Sequence, residues 1–259
     1  MKLSAALVAC NENPKYLQFW PLVKRAWYEV VGIPCILVYV ADTLHSSLQG
    51  DPAVIHFKPS PTCTWPTATQ AQVIRLLWPA LLNADGAILL SDMDMIPMSR
   101  SFFIDGFEGA APGQFTSLRG IDEGEKQIYM CYVGAEPATY GQIFNIKSLN
   151  DVYERLTQWS SVTQSDGLKG GKGWCSDQII LYLYIKHLPE SALHLLPNTR
   201  EFPRLDRSNP QVWLHLCNQL QTDIIAEKIV DFHLPYQPEV AVRVMQIYAA
   251  VPKCQAWPC

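Results

Sequence analysis

Two aspartates separated by a single residue, Asp92 and Asp94, directly follow an apolar run at residues 86–91 that has the composition of a buried strand. In an extended segment, side chains two positions apart point the same way, so both carboxylates can face one cation. Hard cations such as Mg²⁺ and Mn²⁺ accept carboxylate ligands and fill their other positions with phosphate oxygens and water. The pair therefore indicates a site for a divalent cation and a phosphate compound. The alternative is a helix N-terminus, where Asp commonly caps exposed N–H groups.

A third aspartate, Asp177, follows a segment rich in glycine and lysine at residues 167–173. Glycines allow a loop to close over a substrate, and an Asp at the start of a helix can accept a proton from a hydroxyl group. Trp174 is a candidate for contacting the substrate, and Lys172 could neutralise a phosphate. The alternatives are that Asp177 only caps the helix, that Trp174 packs in the core, and that Lys172 is simply solvated.

The late histidine His233 lies just beyond a predicted strand at residues 229–232. Neutral imidazole is a good ligand for ions such as Mn²⁺, so His233 is the candidate third ligand beside the two aspartates. Asp231, two residues earlier, competes for the same role. The other alternative is that His233 binds no metal and is held by ordinary hydrogen bonds. A charged segment at residues 200–207 adds Glu201, Arg204 and Arg207 as candidates to face a phosphate or an acceptor.

The first half of the chain predicts the elements that position these residues. Near-continuous apolar runs predict strands over residues 3–10, 35–40, 53–57 and 86–91, and helical periodicity predicts helices over 16–31 and 67–83, with Pro79 kinking or ending the second. This β-α-β-β-α-β order predicts an open, mostly parallel sheet covered by helices. Ligands bind at the carboxyl ends of the strands in such sheets, and Asp92 and Asp94 fall at such an end.

The second half is less regular. The pattern predicts strands over 127–133, 194–197 and 229–232, a mostly helical segment over 137–159 that breaks near Asn150, a helix from about Ser176, and a closing helix over 240–251. The sequence contains no internal repeat and no convincing linker, which favours one domain over residues 1–259.

Composition excludes several classes of protein. A chain of 259 residues with 49% hydrophobic residues, a net charge of −4 and no run of Lys or Arg is a globular protein that lacks the basic stretch typical of nucleic-acid binding. No apolar run reaches the ~20 residues of a membrane helix, so we expect a cytoplasmic protein, with peripheral membrane association as the remaining option. The eight cysteines have no CxxC spacing, which indicates buried thiols rather than a zinc site, with Cys254 and Cys259 as the exceptions.

The segment at 88–97, an apolar strand followed by Ser-Asp-Met-Asp-Met-Ile-Pro, resembles the DxD element of GT-A glycosyltransferases that use nucleotide sugars. The order of elements resembles that family over most of the chain: a β-α-β half, the DxD turn, a Trp-x-x-Asp segment and a late His. The resemblance implies a Rossmann-like α/β fold, with a nucleotide-sugar-binding half at 1–98 and an acceptor-facing half at 99–259. It also implies a metal-dependent glycosyltransferase with Mn²⁺ or Mg²⁺ as cofactor, a nucleotide-sugar donor (UDP before GDP) and a glycan or other hydroxyl acceptor.

The same resemblance implies roles for individual residues. Asp94 would bind the metal directly, Asp92 would be its partner on the ribose side, and His233 would complete the site. In inverting members such as the β-1,4-galactosyltransferases, a Trp followed three positions later by an acidic residue provides the base. Trp174 and Asp177 are similar, although Cys-Ser rather than Gly-Gly lies between them. This favours inversion slightly, although retaining GT-A enzymes share the DxD.

Residues expected to bind the nucleotide sugar come from the strand ends and from the helix before the DxD strand, with a solvated helix face as the alternative for the two helical ones. They are Ala9, Asn11, Asp42, Gln70, Arg75, Ser91, Asp92 and Met93.

Two other functions remain open. A sugar nucleotidyltransferase usually carries a Gly-rich basic loop after its first strand, and Asn11-Glu12-Asn13-Pro14 occupies that position here. A non-catalytic protein that binds nucleotide sugars or carbohydrates on the same scaffold is the alternative from a different class.

Overall fold

A seven-stranded sheet forms the centre of the molecule, with strands in the order β3-β2-β1-β4-β7-β6-β8. The computed structural model describes residues 1–197, 203–208, 218–237 and 240–254. Strands β1 to β4 are parallel to one another, and β7 runs antiparallel to both β4 and β6. The strands of this sheet are β1 (Leu3–Asn11), β2 (Cys35–Val40), β3 (Val54–Phe57), β4 (Ala87–Leu90), β6 (Phe115–Ser117), β7 (Val133–Ala135) and β8 (Leu193–Leu195).

The two faces of this sheet are buried under separate apolar layers. Along β1, Ala6 and Val8 belong to the layer that contains Trp27, whereas Ala5 and Leu7 belong to the layer that contains Trp65. This alternation follows from the period of two in a strand, and burial on both sides explains why β1 and β2 read as nearly continuous apolar runs. The four strands predicted for the first half are confirmed, with ends that differ by at most one residue.

The helices cover the sheet, and the longest described one has 14 residues. Nothing helical within the described ranges combines the length and the apolar character that crossing a bilayer requires. The helices are α1 (Pro14–Leu17), α2 (Trp20–Ala26), α3 (Thr67–Leu77), α4 (Arg100–Glu108), α5 (Pro137–Phe144), α6 (Leu149–Val162), α7 (Ser176–Ile185), α8 (Asn218–Ile225) and α9 (Ala241–Ala249).

The single helix predicted over 16–31 is wrong in detail, because the chain forms three short segments there. α1 ends at Leu17, α2 begins at Trp20, and a π-helical turn covers Trp27–Val31. Pro21 lacks an amide hydrogen and is accommodated in the first turn of α2, where no intrahelical bond is lost. The second predicted helix is interrupted by Pro79 as expected: α3 ends at Leu77, and a 3-10 turn over Trp78–Leu81 that contains the proline follows.

A second, three-stranded sheet lies beside the first and has the order β5-β10-β9. Its strands are β5 (Met95–Pro97), β9 (Arg204–Leu205) and β10 (Asp231–His233). β5 begins one residue after Asp94 and pairs antiparallel with β10, so that His233 lies opposite Met95. This pairing brings the late histidine to the DxD turn.

Two predictions for the second half are wrong. Residues 127–133 do not form a strand: Gln127 makes only an isolated bridge with Asp122, and the ladder starts at Val133. The apolar residue Ile128 is buried there without a ladder, because its N–H bonds the carbonyl of Gln178 at 3.3 Å instead. The helical break near Asn150 occurs earlier, between α5 and α6, where the side chain of Ser148 caps α6.

Candidate functional site

A cavity of about 720 Å³ opens at the carboxyl ends of β1 and β4. Open α/β sheets bind ligands at this position, and the volume falls in the usual range for a small-molecule site. The structure brings most of the predicted site residues together in its lining. They are Ala9, Asn11, Arg75, Asp92, Met93, Asp94, Trp174, Asp177 and His233.

Asp94 is buried and surrounded by donors that converge on one oxygen. Its Oδ2 accepts hydrogen bonds from Arg207 Nη1 at 2.5 Å and from Tyr236 Oη at 2.8 Å, and His233 Nε2 lies 3.4 Å away. Burial raises the pKa of this carboxyl, but the hydrogen bonds and charges of His233 and Arg207 outweigh it and hold the pKa well below its usual range. Asp94 is therefore a carboxylate at any physiological pH.

Asp92 and Asp177 share one buried arginine. Arg75 Nη1 lies 2.5 Å from Asp92 Oδ1 and Arg75 Nη2 lies 2.9 Å from Asp177 Oδ2. Burial raises the pKa of Asp177, and the charge of Asp92 adds to this, so that the pKa reaches about 6 despite the opposing effect of Arg75. One guanidinium thus neutralises two carboxylates incompletely, and Asp177 titrates close to neutrality.

His233 stands between two carboxylates. Its Nε2 faces Asp94, and its Nδ1 lies 3.3 Å from Asp206 Oδ2. Burial lowers the pKa of His233. The hydrogen bond and the charge of Asp94 raise it by a larger amount, so the net pKa lies above its ordinary value. Both ring nitrogens have partners, which fixes the orientation of the ring in the cavity wall.

Asp231, the competing ligand in the sequence, has a different environment. Its two oxygens accept from Arg204 at 2.9 and 2.6 Å, and Oδ2 also accepts from Tyr132 Oη at 2.8 Å. The residue is fully buried and is not part of the cavity lining. Its oxygens are taken up by Arg204 and Tyr132, and of Asp231 and His233 it is His233 that lines the cavity.

The donor set suits a divalent cation by type, although the described residues do not form a ready-made cluster. Two carboxylates and one imidazole are suitable ligands for Mn²⁺ or Mg²⁺, and Asp94 and His233 are already adjacent. In the described ranges, no group of three or more His, Cys, Asp or Glu side chains is placed to hold a metal ion. Asp92 is paired with Arg75. The residues therefore fit a cation if Asp92 turns from Arg75 toward Asp94.

The glycine-rich loop borders the cavity through Gly167, Leu168 and Lys169. Asp166 holds this loop, because its side chain accepts from the backbone N–H groups of Leu168 at 2.9 Å and Lys172 at 3.0 Å. The Lys172 ammonium hydrogen-bonds Gln164 Oε1, and Lys172 does not line the cavity. The structure therefore does not bring this predicted residue to the site, whereas Trp174 does line it.

Three predicted nucleotide ligands lie elsewhere. Asp42 is exposed after the end of β2, and the Ser91 hydroxyl is buried 3.4 Å from the carbonyl of Asp92. Gln70 is buried and bonds Ser60 N at 3.0 Å and Trp65 O at 2.9 Å. None of the three lines the cavity. For Gln70 the reason is helix phase, because the cavity face of α3 carries Ala68, Ala71, Gln72 and Arg75.

Other lining residues were not expected or were left undecided. In the charged segment, Arg207 lines the cavity, Arg204 pairs with Asp231, and Glu201 lies outside the described residues. Tyr236 had no signal in the sequence except its closeness to His233. Gln178 was marked only by its position next to Asp177; it lines the cavity, and its Oε1 is buried without a hydrogen-bond partner in the described part of the chain.

No protein-family model matches the sequence, and no curated protein matches it. Solved structures match its fold. An active-site mutant of the galactosyltransferase LgtC is 11% identical and superposes with a TM-score of 0.51. The match covers 98% of this chain and 97% of the LgtC chain. The glycosyltransferase GlyE of Streptococcus pneumoniae TIGR4 is 12% identical with a TM-score of 0.51; the match covers 96% of this chain but 60% of GlyE.

At such low identity the likeness concerns the fold alone. The chain has the GT-A fold that its sequence predicts, a single α/β domain whose mostly parallel sheet is flanked by helices.

Proposed function

We propose that this chain is a glycosyltransferase that moves a sugar from a nucleoside-diphosphate donor, UDP before GDP, to a hydroxyl acceptor with the help of Mn²⁺ or Mg²⁺. One observation carries the proposal. Asp92, Asp94, His233 and Asp177, which are far apart in sequence, converge in one cavity at the carboxyl end of the sheet. The GT-A fold, shared with LgtC and GlyE, supports it.

The nucleotide would occupy the side of the cavity formed by the end of β1. Ala9 and Asn11 line this side together with Met93, and Asn11 Nδ2 is oriented by a hydrogen bond to Thr67 Oγ1 at 3.1 Å. Lys15 and Lys169 add positive charge to the lining, which suits a diphosphate.

Asp94 and His233 would hold the cation, with Asp92 as the second carboxylate. When bound, the cation supplies positive charge against the negative charge that develops on the leaving diphosphate. The protein's own contribution is to keep Asp94 ionised and His233 oriented, which their surrounding hydrogen bonds do.

Asp177 would accept the proton of the acceptor hydroxyl. A general base works best when its pKa lies near the operating pH, and burial raises the pKa of Asp177 to about 6. Arg75 fixes its carboxylate in place. A base in this role belongs to an inverting reaction, which we therefore propose ahead of a retaining one.

The test is a panel of nucleotide sugars, screened for thermal stabilisation with and without Mn²⁺ and then for release of nucleoside diphosphate. We expect one donor class to stabilise the wild type in the presence of Mn²⁺. In Asp94→Asn, the affinity for that donor should fall by at least about tenfold. Asp105→Asn, an exposed change on α4, is the matched control. The proposal is wrong if no donor stabilises the wild type, or if the Asp94 variant binds donor as the wild type does.

A non-catalytic nucleotide-sugar-binding protein is the second candidate, and one observation favours it. Both oxygens of Asp177 are already engaged, because Oδ2 pairs with Arg75 and Oδ1 accepts from the backbone N–H of Gln178 at 2.9 Å. Binding of the donor without any release of nucleoside diphosphate, even with acceptors present, would support this candidate. Steady release that Asp177→Asn abolishes, with donor binding intact, would exclude it.

A further inference from the structure

Arg207 contacts Asp94 at the position where a cation ligand is needed. We propose that Arg207 is an exchangeable counter-ion: it neutralises Asp94 in the empty site, and it binds the diphosphate of the donor once a divalent cation occupies Asp94. The inference rests on the proposed function and deepens it, because it assigns a phosphate ligand and predicts that cation and nucleotide load together.

The first argument is geometric. Arg207 Nη1 lies 2.5 Å from Asp94 Oδ2, the same oxygen that Tyr236 and His233 contact. An oxygen with three donors around it has no room for a cation at bonding distance. Arg207 is the partner whose departure also removes a positive charge, so its exchange relieves both crowding and repulsion.

The second argument concerns mobility. The backbone before Arg207 is held by β9, which pairs with β10, and the backbone after it is held by Ser208, whose N–H donates to Asp206 Oδ1 at 2.8 Å. The guanidinium lies over the ring of Tyr236, 4.3 Å from its centroid, and lines the cavity. The side chain can therefore swing into the cavity without moving the chain that carries it.

The third argument concerns charge. With Arg207 paired to Asp94, a cation entering alone must displace a guanidinium from a buried carboxylate, which costs the whole ion pair. A diphosphate offers the displaced guanidinium a bidentate partner of the same kind. Cation and nucleotide should therefore bind with strong positive coupling, and Arg207 should be the residue that transmits it.

The experiment measures Mn²⁺ binding by the EPR signal of free Mn²⁺, first with the metal alone and then with saturating UDP or GDP. In Arg207→Met, which keeps an apolar stem over Tyr236, we expect Mn²⁺ alone to bind about tenfold tighter than in the wild type. The further gain on adding nucleotide should be smaller than in the wild type. Arg207→Gln should behave in the same way if the Met variant is unstable, and Arg207→Lys should stay near the wild type because it keeps the charge.

Arg243→Gln is the matched control, since it removes one positive charge on α9, where the arginine contacts Gln246 at 2.8 Å. It should leave both measurements unchanged. Unchanged or weaker Mn²⁺ binding in the folded Arg207→Met and Arg207→Gln variants would overturn the exchange. A wild type that binds Mn²⁺ but none of the nucleoside diphosphates would overturn the proposed function instead. The measurement with Mn²⁺ alone would still show whether Arg207 and the cation compete for Asp94.

Discussion

At the residue scale, one buried guanidinium in the cavity wall pairs with two carboxylates. Arg75 pairs with Asp92 and Asp177, whereas Asp231 has an ion-pair partner of its own in Arg204. A side chain kept for stability normally has a full counter-ion, as Asp231 does. Asp177 does not, and this imbalance is typical of a residue kept for chemistry.

Replacing Asp177 with Asn should therefore stabilise the protein above neutrality. Burial and Asp92 raise the folded-state pKa of Asp177 from 3.8 to about 6, so the folded state binds this proton more tightly than the unfolded chain. Stability consequently falls as pH rises from about 4 to about 6, by up to about 3 kcal/mol, and the loss is complete at higher pH. Urea unfolding should show no difference between variant and wild type near pH 4 and a more stable variant at pH 8.

Asp231→Asn is the contrasting variant. It removes the charge of a fully buried carboxylate that pairs with Arg204, so we expect a loss of about 3 to 5 kcal/mol at both pH values. If Asp177→Asn were destabilised to the same extent at pH 8, the incomplete neutralisation of Asp177 would be refuted.

The sequence predicted the acidic residues of the site, and it named Arg75 and Arg207 as candidates without predicting that they pair with these carboxylates. Asp92, Asp94 and Asp177 could be found because each follows a recognisable strand or loop. Which of Arg204 and Arg207 reaches the cavity depends on the register of β9, a strand of two residues that no periodicity can reveal. For a similar reason, Gln70 was named although Gln72 lines the cavity, since the phase of α3 against the sheet is set by packing.

At the element scale, the glycine loop shows how local chain geometry shapes the cavity. Gly170 and Gly173 have φ angles of +72° and +73°, in the left-handed region that L side chains rarely adopt. A Cβ at Gly173 would lie 2.5 Å from the carbonyl oxygen of Gln164, whereas a Cβ at Gly170 would meet no atom within 4 Å. Of these two glycines, Gly173 is therefore the one that close packing of the loop requires, directly before Trp174.

These two glycines form a matched pair of variants. Gly170→Ala should cost about 1 kcal/mol from its backbone conformation alone. Gly173→Ala carries the same cost plus a clash with the backbone, which adds about 1 to 3 kcal/mol and displaces the cavity wall at Trp174. Urea unfolding measures the first difference, and Mn²⁺-dependent donor binding should fall only in the Gly173 variant. Equal effects of the two changes would contradict this account of the loop.

Elements with long apolar patterns were predictable, and several of the short ones were not. β1, β2 and β4 are buried on both faces and were found, whereas β5, β6 and β9 have two or three residues each and were missed. The missed strand β5 matters most, because its pairing with β10 places His233 beside Asp94. The prediction that the two would meet came from the resemblance to GT-A enzymes, since local pattern holds no information about this contact.

At the scale of the whole molecule, the two halves seen in the sequence are interleaved. β4 from the first half pairs with β7 from the second, and β5 pairs with β10. The cavity lining likewise combines Asp94 with His233 and Arg75 with Asp177. Neither half can complete the sheet or the site without the other, so the site should exist only in the fully folded chain.

Unfolding should accordingly expose buried thiols of both halves in one transition. Cys35 on β2 and Cys131 in the second half are both buried free thiols, and burial raises the pKa of each, which keeps them unreactive in the folded state. Pulse labelling across a urea gradient, read by mass spectrometry, should give the same midpoint for both, while the partly exposed Cys63 reacts at lower urea. Mn²⁺ with a bound nucleoside diphosphate should move both midpoints upward together, because a ligand held by residues of both halves stabilises only the complete fold. Separate midpoints for Cys35 and Cys131, or a ligand shift confined to one of them, would mean that the halves fold independently and that the site is not shared between them.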